Sequence, residues 1–323
     1  MGVAPLKPLR YGFLLLGNYS MIAYASAIEV LRMANRLQRE TIFEWPTYTL
    51  DGEPVKASNG MTILPDAAVT QISRLDVLFV CAGVRVNQQW HDSLKPLLTR
   101  IARANVILGG ICTGTHILAR AGLLDGYRCT IHWENMAGLR ETCPKVIVTD
   151  ELFELDRDRY TVSGGTAPLD MMFELVRRHF GKALAVSISE QFMCDRMRGE
   201  YDRQRVPLRL LIGADQPKLI EAVELMESNL EELINLDELS NLVGVSRRQL
   251  ERLFKKYLGC VPSRYYLDLR LKKARQLLLQ TSISVSDVAI ACGFVSASHF
   301  SKSYRDMFGL TPREERQKQQ FQL

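Results

Sequence analysis

Long apolar runs are missing from this 323-residue chain, and no stretch approaches the roughly 20 apolar residues that a bilayer-spanning helix needs. Near the start, the short run "YGFLLLG" has no small-residue cleavage pattern after it. It therefore reads as a first buried strand and not as a secretory leader. Cysteine is sparse: seven residues at positions 81, 112, 129, 143, 194, 260 and 292, odd in number and at no metal-ligand or redox spacing. That argues against a disulfide scaffold or a zinc module and predicts reduced thiols in a cytosol. No cofactor and no metal are expected.

Apolar residues make up 47% of the chain and charged residues 24%, which suits a chain long enough to bury two cores. Net charge is +5, but it is unevenly placed. Residues 240–323 hold 15 Lys and Arg against 6 Asp and Glu, whereas residues 1–239 hold 26 against 30. A basic end on a mildly acidic body suggests contact with a polyanion, most often nucleic acid; a solvated cationic face is the plainer alternative.

The periodicity changes along the chain. "YGFLLL" (11–16), "DVLFVCAG" (76–83) and "NVILGGI" (105–111) are apolar runs of strand length, and "KVIVTD" and "RYTVSGG" follow later. Helical spacing recurs over 20–38, over 87–104 and in "APLDMMFELVRRHFG". Continuous apolar strands between helices predict an α/β fold: a doubly wound, mostly parallel sheet covered on both faces. Sites in such sheets form beyond the carboxyl ends of the strands, where Cys112 and the glycines of "CAG" and "SGG" are expected. After residue 195 the charged stretch "DRMRGEYDRQRVPLR" reads as a linker, helical in its first half, and from "PKLIEAVELMESNLEE" onward every periodic segment is helical. The expected boundaries are 1–195 for the first domain, 196–217 for the linker and 218–323 for an all-α second domain.

The helical end contains a repeat. "LSNLVGVSRRQLERLFKKYLGCVP" (239–262) and "VAIACGFVSASHFSKSYRDMFGLTP" (288–312) align with Gly244 on Gly293 at an offset of 49. Leu250, Phe254, Gly259 and Pro262 then fall on Phe300, Tyr304, Gly309 and Pro312 at an offset of 50, so the second turn is longer by one residue. Each copy has a short helix, a glycine turn, a serine near the start of a second helix and a Gly-x-x-Pro stop, the outline of a helix-turn-helix. The second helix of each copy divides by face. Leu250, Leu253, Phe254 and Tyr257 should pack inward in the first, and Phe300, Tyr304 and Met307 in the second. Arg248, Glu251, Arg252 and Lys255, with Arg247 at the helix start, then form one candidate DNA-reading face; Ala297, Ser298, Ser301, Lys302 and Arg305 form the other. Residues 263–281 can form one long helix that spaces the two readers, ideally by one DNA turn of about 34 Å.

Two such copies resemble the AraC/XylS family of transcription regulators over roughly residues 218–316, with "IACGF…S.SHFS..YR..FG.TP" as the carrying motif. The resemblance implies promoter binding and recruitment of RNA polymerase. The front segment "GGICTGTHILARAGLLDGYRCTIHW" resembles the class I glutamine amidotransferase-like, PfpI-type fold, a flavodoxin-like sheet whose nucleophile elbow holds a cysteine. The oriented amides at a helix N-terminus would lower the pKa of Cys112, and the amide of Gly83 would contribute to an oxyanion pocket. Hydrolytic relatives have a histidine directly after that cysteine, where this chain has Thr113. Many members also place an acid near the start of the first helix, where this chain has Ala23. His132 is the remaining base candidate, but it reads equally well as a packed or ligand-contacting residue, and without a base and an orienting group the thiol of Cys112 is only a wall of the ligand pocket. The expectation is therefore a sensor and not an enzyme. A cysteine-dependent amidase or glyoxalase-like enzyme and a thiol redox sensor remain as alternatives.

The combination resembles the GlxA-like subgroup, whose members respond to small nitrogenous metabolites such as arginine, carnitine and glycine betaine. "SAIEVLRMANR" and "LDGEPVKASNGMTILPD" look most like those sensing quaternary amines. Such an effector needs aromatic walls and a counter-charge. Tyr19, Tyr24 and Trp133 are the candidate walls, with Glu134 or Glu29 as the charge. Tyr24 and Trp133 read equally well as plain core aromatics. Thr113 and the amides around Thr166 would take a ligand carboxylate. A homodimer joined through the front domain is expected from the resemblance.

Overall fold

The computed structural model describes residues 7–199, 202, 204 and 216–321. The chain divides into two units after Gln204.

In the first unit the apolar runs become strands because each has neighbours on both faces. The strand order is Phe153–Asp156, Arg159–Val162, Ile107–Cys112, Val77–Ala82, Leu9–Leu15, Thr47–Thr49, Ala67–Ala68. All neighbours are parallel except the first two. Side chains alternate between two cores. Phe13, Leu15, Phe79 and Cys81 face the helices Met21–Gln38, Ala167–Phe180 and Lys182–Gln191. Leu14, Leu16, Leu78 and Val80 face Leu94–Arg103, Gly114–Arg120 and Met136–Thr142. The order reverses at Leu9–Leu15, so a topological switch point lies beside the carboxyl ends that carry Gly83, Cys112 and Ser163.

Three details differ from the sequence expectations. The segment 87–104 is not one helix: a 3-10 turn, Val86–Gln89, precedes Leu94–Arg103. Pro96 has no amide hydrogen and fits only in the first turn of a helix, which sets the later start. "KVIVTD" contributes Ile147–Val148 to a separate two-stranded ribbon with Arg128–Cys129, outside the main sheet. The expected helix at the start of the linker is absent, because Asp195–Gly199 form no helix. Residues 200, 201, 203 and 205–215 of that stretch lie outside the described residues.

The second unit is helical among its described residues. One helix-turn-helix pairs Leu236–Leu242 with Arg247–Leu258, and the other pairs Val285–Ala291 with Ala297–Phe308. The helix Pro262–Gln280 connects them. All four motif helices carry side-chain N-caps: Asn235, Ser246, Ser284 and Ser296 accept from the amides of Glu238, Gln249, Asp287 and His299. Arg270, buried in the connecting helix, donates to the carbonyls of Cys292 and Gly293 at 2.7 Å each and stacks 3.9 Å from the Phe294 ring. Lys273 donates to Ala291 O at 2.9 Å. These cations satisfy the carbonyls at the end of the helix Val285–Ala291, where unpaired acceptors and the negative end of the helix coincide.

The two turn glycines differ in their surroundings. Both have a φ of 70°, but a side-chain carbon on Gly293 would meet the carbonyl oxygens of Leu230 and Glu231 at 2.8 Å. At Gly244 the nearest atom is Lys218 Nζ, 4.0 Å away. Gly244→Ala should therefore cost only left-handed strain, about 1 kcal/mol, and Gly293→Ala roughly 2–4 kcal/mol, because two backbone carbonyls must also move. Thermal denaturation of the two variants checks this; equal losses would show that the crowding at Gly293 is unimportant.

Candidate functional site

The elbow is built by crowding. Cys112 ends its strand with φ 58°, and Thr113 leads into the helix Gly114–Arg120. A side-chain carbon on Gly114 would lie 1.8 Å from Val80 O, so only glycine lets that helix start against the neighbouring strand. Gly83 is crossed by the loop Asn18–Ser20, and a side-chain carbon there would meet Asn18 O at 2.2 Å. At Gly164 such a carbon would lie 2.5 Å from His132 Cδ2 and 3.2 Å from Cys112 Sγ. The fold thus brings together Tyr19, Gly83, Cys112, Thr113 and His132, which the sequence scatters over more than a hundred positions.

Burial dominates the electrostatics of the elbow. Burial pushes the Cys112 thiol up to about 11, outweighing the Thr113 amide that hydrogen-bonds its sulfur, and the nearby Glu134 charge pushes the same way. Burial holds His132 below its ordinary value, against the opposing effect of Glu134. His132 Nδ1 accepts from the Glu134 amide at 3.4 Å. A neutral imidazole whose Nδ1 accepts in this way has Nε2 as its donor.

The other candidates fall into two groups. Trp133 is 37% exposed, with its ring centroid 5.7 Å from that of His132, and Glu134 Oε2 lies 3.8 Å from His132 Nδ1. These three form one half-exposed cluster on the elbow's rim. Thr113 is buried and its hydroxyl donates to Gly83 O at 2.6 Å, joining two strand ends. Tyr19 is fully buried, edge-on to Tyr24. Tyr24 is a core aromatic: its ring packs on Phe13 and its hydroxyl bonds Thr47 Oγ1 at 2.7 Å. Glu29 is bound at 2.6 Å to Arg32 on the solvent side of its helix, so helix phase removes it from the elbow group. Thr166 Oγ1 accepts from Arg198 at 2.8 Å.

Arg198 and Gln204 were not singled out in the sequence. Arg198 binds the buried Asp170 through its backbone amide at 2.9 Å and its guanidinium at 2.6 and 3.0 Å. Burial raises the Asp170 carboxyl pKa, and Arg198 opposes that shift. Gln204 Nε2 donates to Thr130 Oγ1, Ile131 O and Glu151 O at 2.7, 2.9 and 3.1 Å. The segment leaving the first unit therefore grips both the Thr166 loop and the strand end before His132. Nothing in the charged run "DRMRGEYDRQR" distinguishes these two residues from solvated ones.

In the second unit Leu250, Phe254, Phe300 and Tyr304 are buried as expected. Arg248, Arg252 and Lys255 are exposed along one face, and Ser298, Lys302 and Arg305 repeat that spacing with Ala297 exposed beside them. Ser301 and Glu251 are half-buried. Arg247 is paired with Glu251 at 3.1 Å and Asp237 at 3.4 Å, so those charges are partly spent within the protein.

Residues 239–318 match the helix-turn-helix domain family, and residues 20–178 match the DJ-1/PfpI family. The HTH-type transcriptional regulator GbdR of Pseudomonas aeruginosa is 53% identical over 320 residues, covering 98% of this chain and 87% of that protein. The HTH-type transcriptional regulator CdhR of the same species is 44% identical, covering 95% and 91%. The crystal structure of an AraC family transcriptional regulator from Pseudomonas putida superposes with a TM-score of 0.53 at 34% identity, over 57% of this chain and 100% of that one. With a repeated helix-turn-helix behind a flavodoxin-like elbow domain, and with such relatives along nearly its whole length, the chain belongs to the AraC family of transcription regulators that carry a DJ-1/PfpI domain in front.

Proposed function

We propose that this transcription regulator is gated by a small nitrogenous effector held at the Cys112 elbow without covalent chemistry. The observation that carries this reading is the double grip of the exit segment. Arg198 holds Thr166 and, in the helix that follows it, Asp170, and Gln204 holds Thr130, Ile131 and Glu151, on segments that flank Cys112, His132 and Gly164. A molecule that shifts either segment changes the free energy of that grip, which is the differential interaction that gating requires. The rim cluster suits an amine or a quaternary ammonium. Trp133 and His132 offer ring faces and Glu134 the counter-charge, which together hold a cation that has no hydrogen to donate. Carnitine and glycine betaine have this chemistry. Activation of genes for amine catabolism, recruitment of RNA polymerase and dimerisation through the front unit belong to the same proposal. So does a cytoplasmic location.

A thiol raised to about 11 is almost entirely protonated at neutral pH and is a weak nucleophile. Cys112→Ser should therefore keep effector-dependent transcription, and the purified protein should not turn over amides or aldehydes. Turnover that vanishes in Cys112→Ala would establish an enzyme instead. Arg252→Ala should weaken promoter binding by about 1–3 kcal/mol if the side chain reaches a base edge; unchanged affinity in a promoter titration removes it from the interface. Gln204→Ala should retain the melting-temperature increase caused by glycine betaine or carnitine while reducing the response of promoter binding to it. A full response in that variant would exclude the segment as the coupling element.

A further inference from the structure

The second reading helix begins differently from the first, and the difference comes from one residue. In the first copy the residue before the Ser246 cap, Val245, packs into the core cluster that holds Leu250. This is the usual staple between the residue before an N-cap and the fourth residue of the helix. In the second copy the longer turn moves that role back by one position. Phe294, two residues before the Ser296 cap, is buried against Phe300 with centroids 5.0 Å apart, and the Arg270 guanidinium stacks on its ring at 3.9 Å. The extra residue, Val295, is left fully exposed, although it directly precedes the cap. It has no staple to make, so its side chain contributes nothing to the protein's own packing.

The residues around it are also short. Where the first helix begins with Arg247 and Arg248, the second begins with Ala297 and Ser298. The hydroxyls of Ser296 and Ser298 lie 2.8 Å apart, and Ser296 Oγ also caps the amide of His299. The start of a reading helix is the part that meets base edges, and here it offers a branched apolar group where its counterpart offers long donors. The apolar feature of the major groove is the C5-methyl of thymine.

We propose that Val295 is a specificity-determining residue of the second reader, which packs its isopropyl group against a thymine methyl and selects thymine at that position. This inference rests on the promoter-binding reading of the second unit. The test begins with the full chain enriching duplexes from a random-sequence pool. Each thymine of the best-bound duplex is then replaced singly by deoxyuridine, which removes only the methyl, and affinities are measured for the wild type, Val295→Ser and Val295→Thr.

One replacement should weaken wild-type binding about threefold to tenfold. Val295→Ser should be weaker by a similar factor on the thymine duplex and indifferent to that replacement, while Val295→Thr, which keeps a methyl, recovers part of the loss. A duplex bound with salt-sensitive affinity, on which Val295→Ser responds to every replacement as the wild type does, overturns the inference and leaves DNA binding in place. Failure to enrich any duplex overturns the DNA-binding reading and the inference with it.

Discussion

The close approach of backbones at the carboxyl edge of the sheet is the constraint on which the first unit depends. Three glycines permit it: Gly83 under the Asn18–Ser20 loop, Gly114 against the Val80 carbonyl and Gly164 against His132 and Cys112. With no β-carbon in the way, the Asn18–Ser20 loop closes on Gly83, the helix after Cys112 starts against Val80, and Gly164 comes up to His132 and the Cys112 thiol. The same crowding buries the Cys112 side chain. A cysteine in a strained elbow at a helix start has the geometry of a nucleophile, yet desolvation raises its pKa more than the neighbouring amide lowers it.

The second unit depends on a different interaction, a buried cation at the end of a helix. Arg270 gives two hydrogen bonds to the carbonyls at the second turn and a face to Phe294. Hydrogen bonds from an ionised donor are the stronger kind, and here they are shielded from competing water. The connecting helix is therefore a fixed support for the second motif as well as a spacer. Phe294, packed on Arg270 and Phe300, in turn takes the inward position that Val295 lacks.

Between the elbow and the end of the first unit, Asp170 acts as an anchor. Its carboxylate is buried near the start of the helix Ala167–Phe180 and receives three hydrogen bonds from Arg198. A buried carboxylate without its cation is costly, so the exit segment is held at this point by desolvation as well as by hydrogen bonding. Gln204 uses neutral hydrogen bonds, which are easier to exchange. The two attachments thus differ in strength, and the weaker one lies beside the strand end that leads to His132.

The amino-acid sequence by itself determined the local features. Alternating and helical periods, serine caps, turn glycines and the repeat from Gly244 to Pro312 depend on residues a few positions apart, and they suffice for a sheet domain followed by two helix-turn-helix motifs. Cys112 could likewise be placed at a strand end from its neighbours alone. The tertiary structure alone decided what depends on distant contacts. Tyr24 is a core residue because Thr47 takes its hydroxyl, and Glu29 faces solvent with Arg32. Thr113 is committed to Gly83, and Arg198 serves a buried carboxylate. Burial, and with it pKa and hydrogen-bond availability, is set by which segments pack over a side chain, and no local pattern records that.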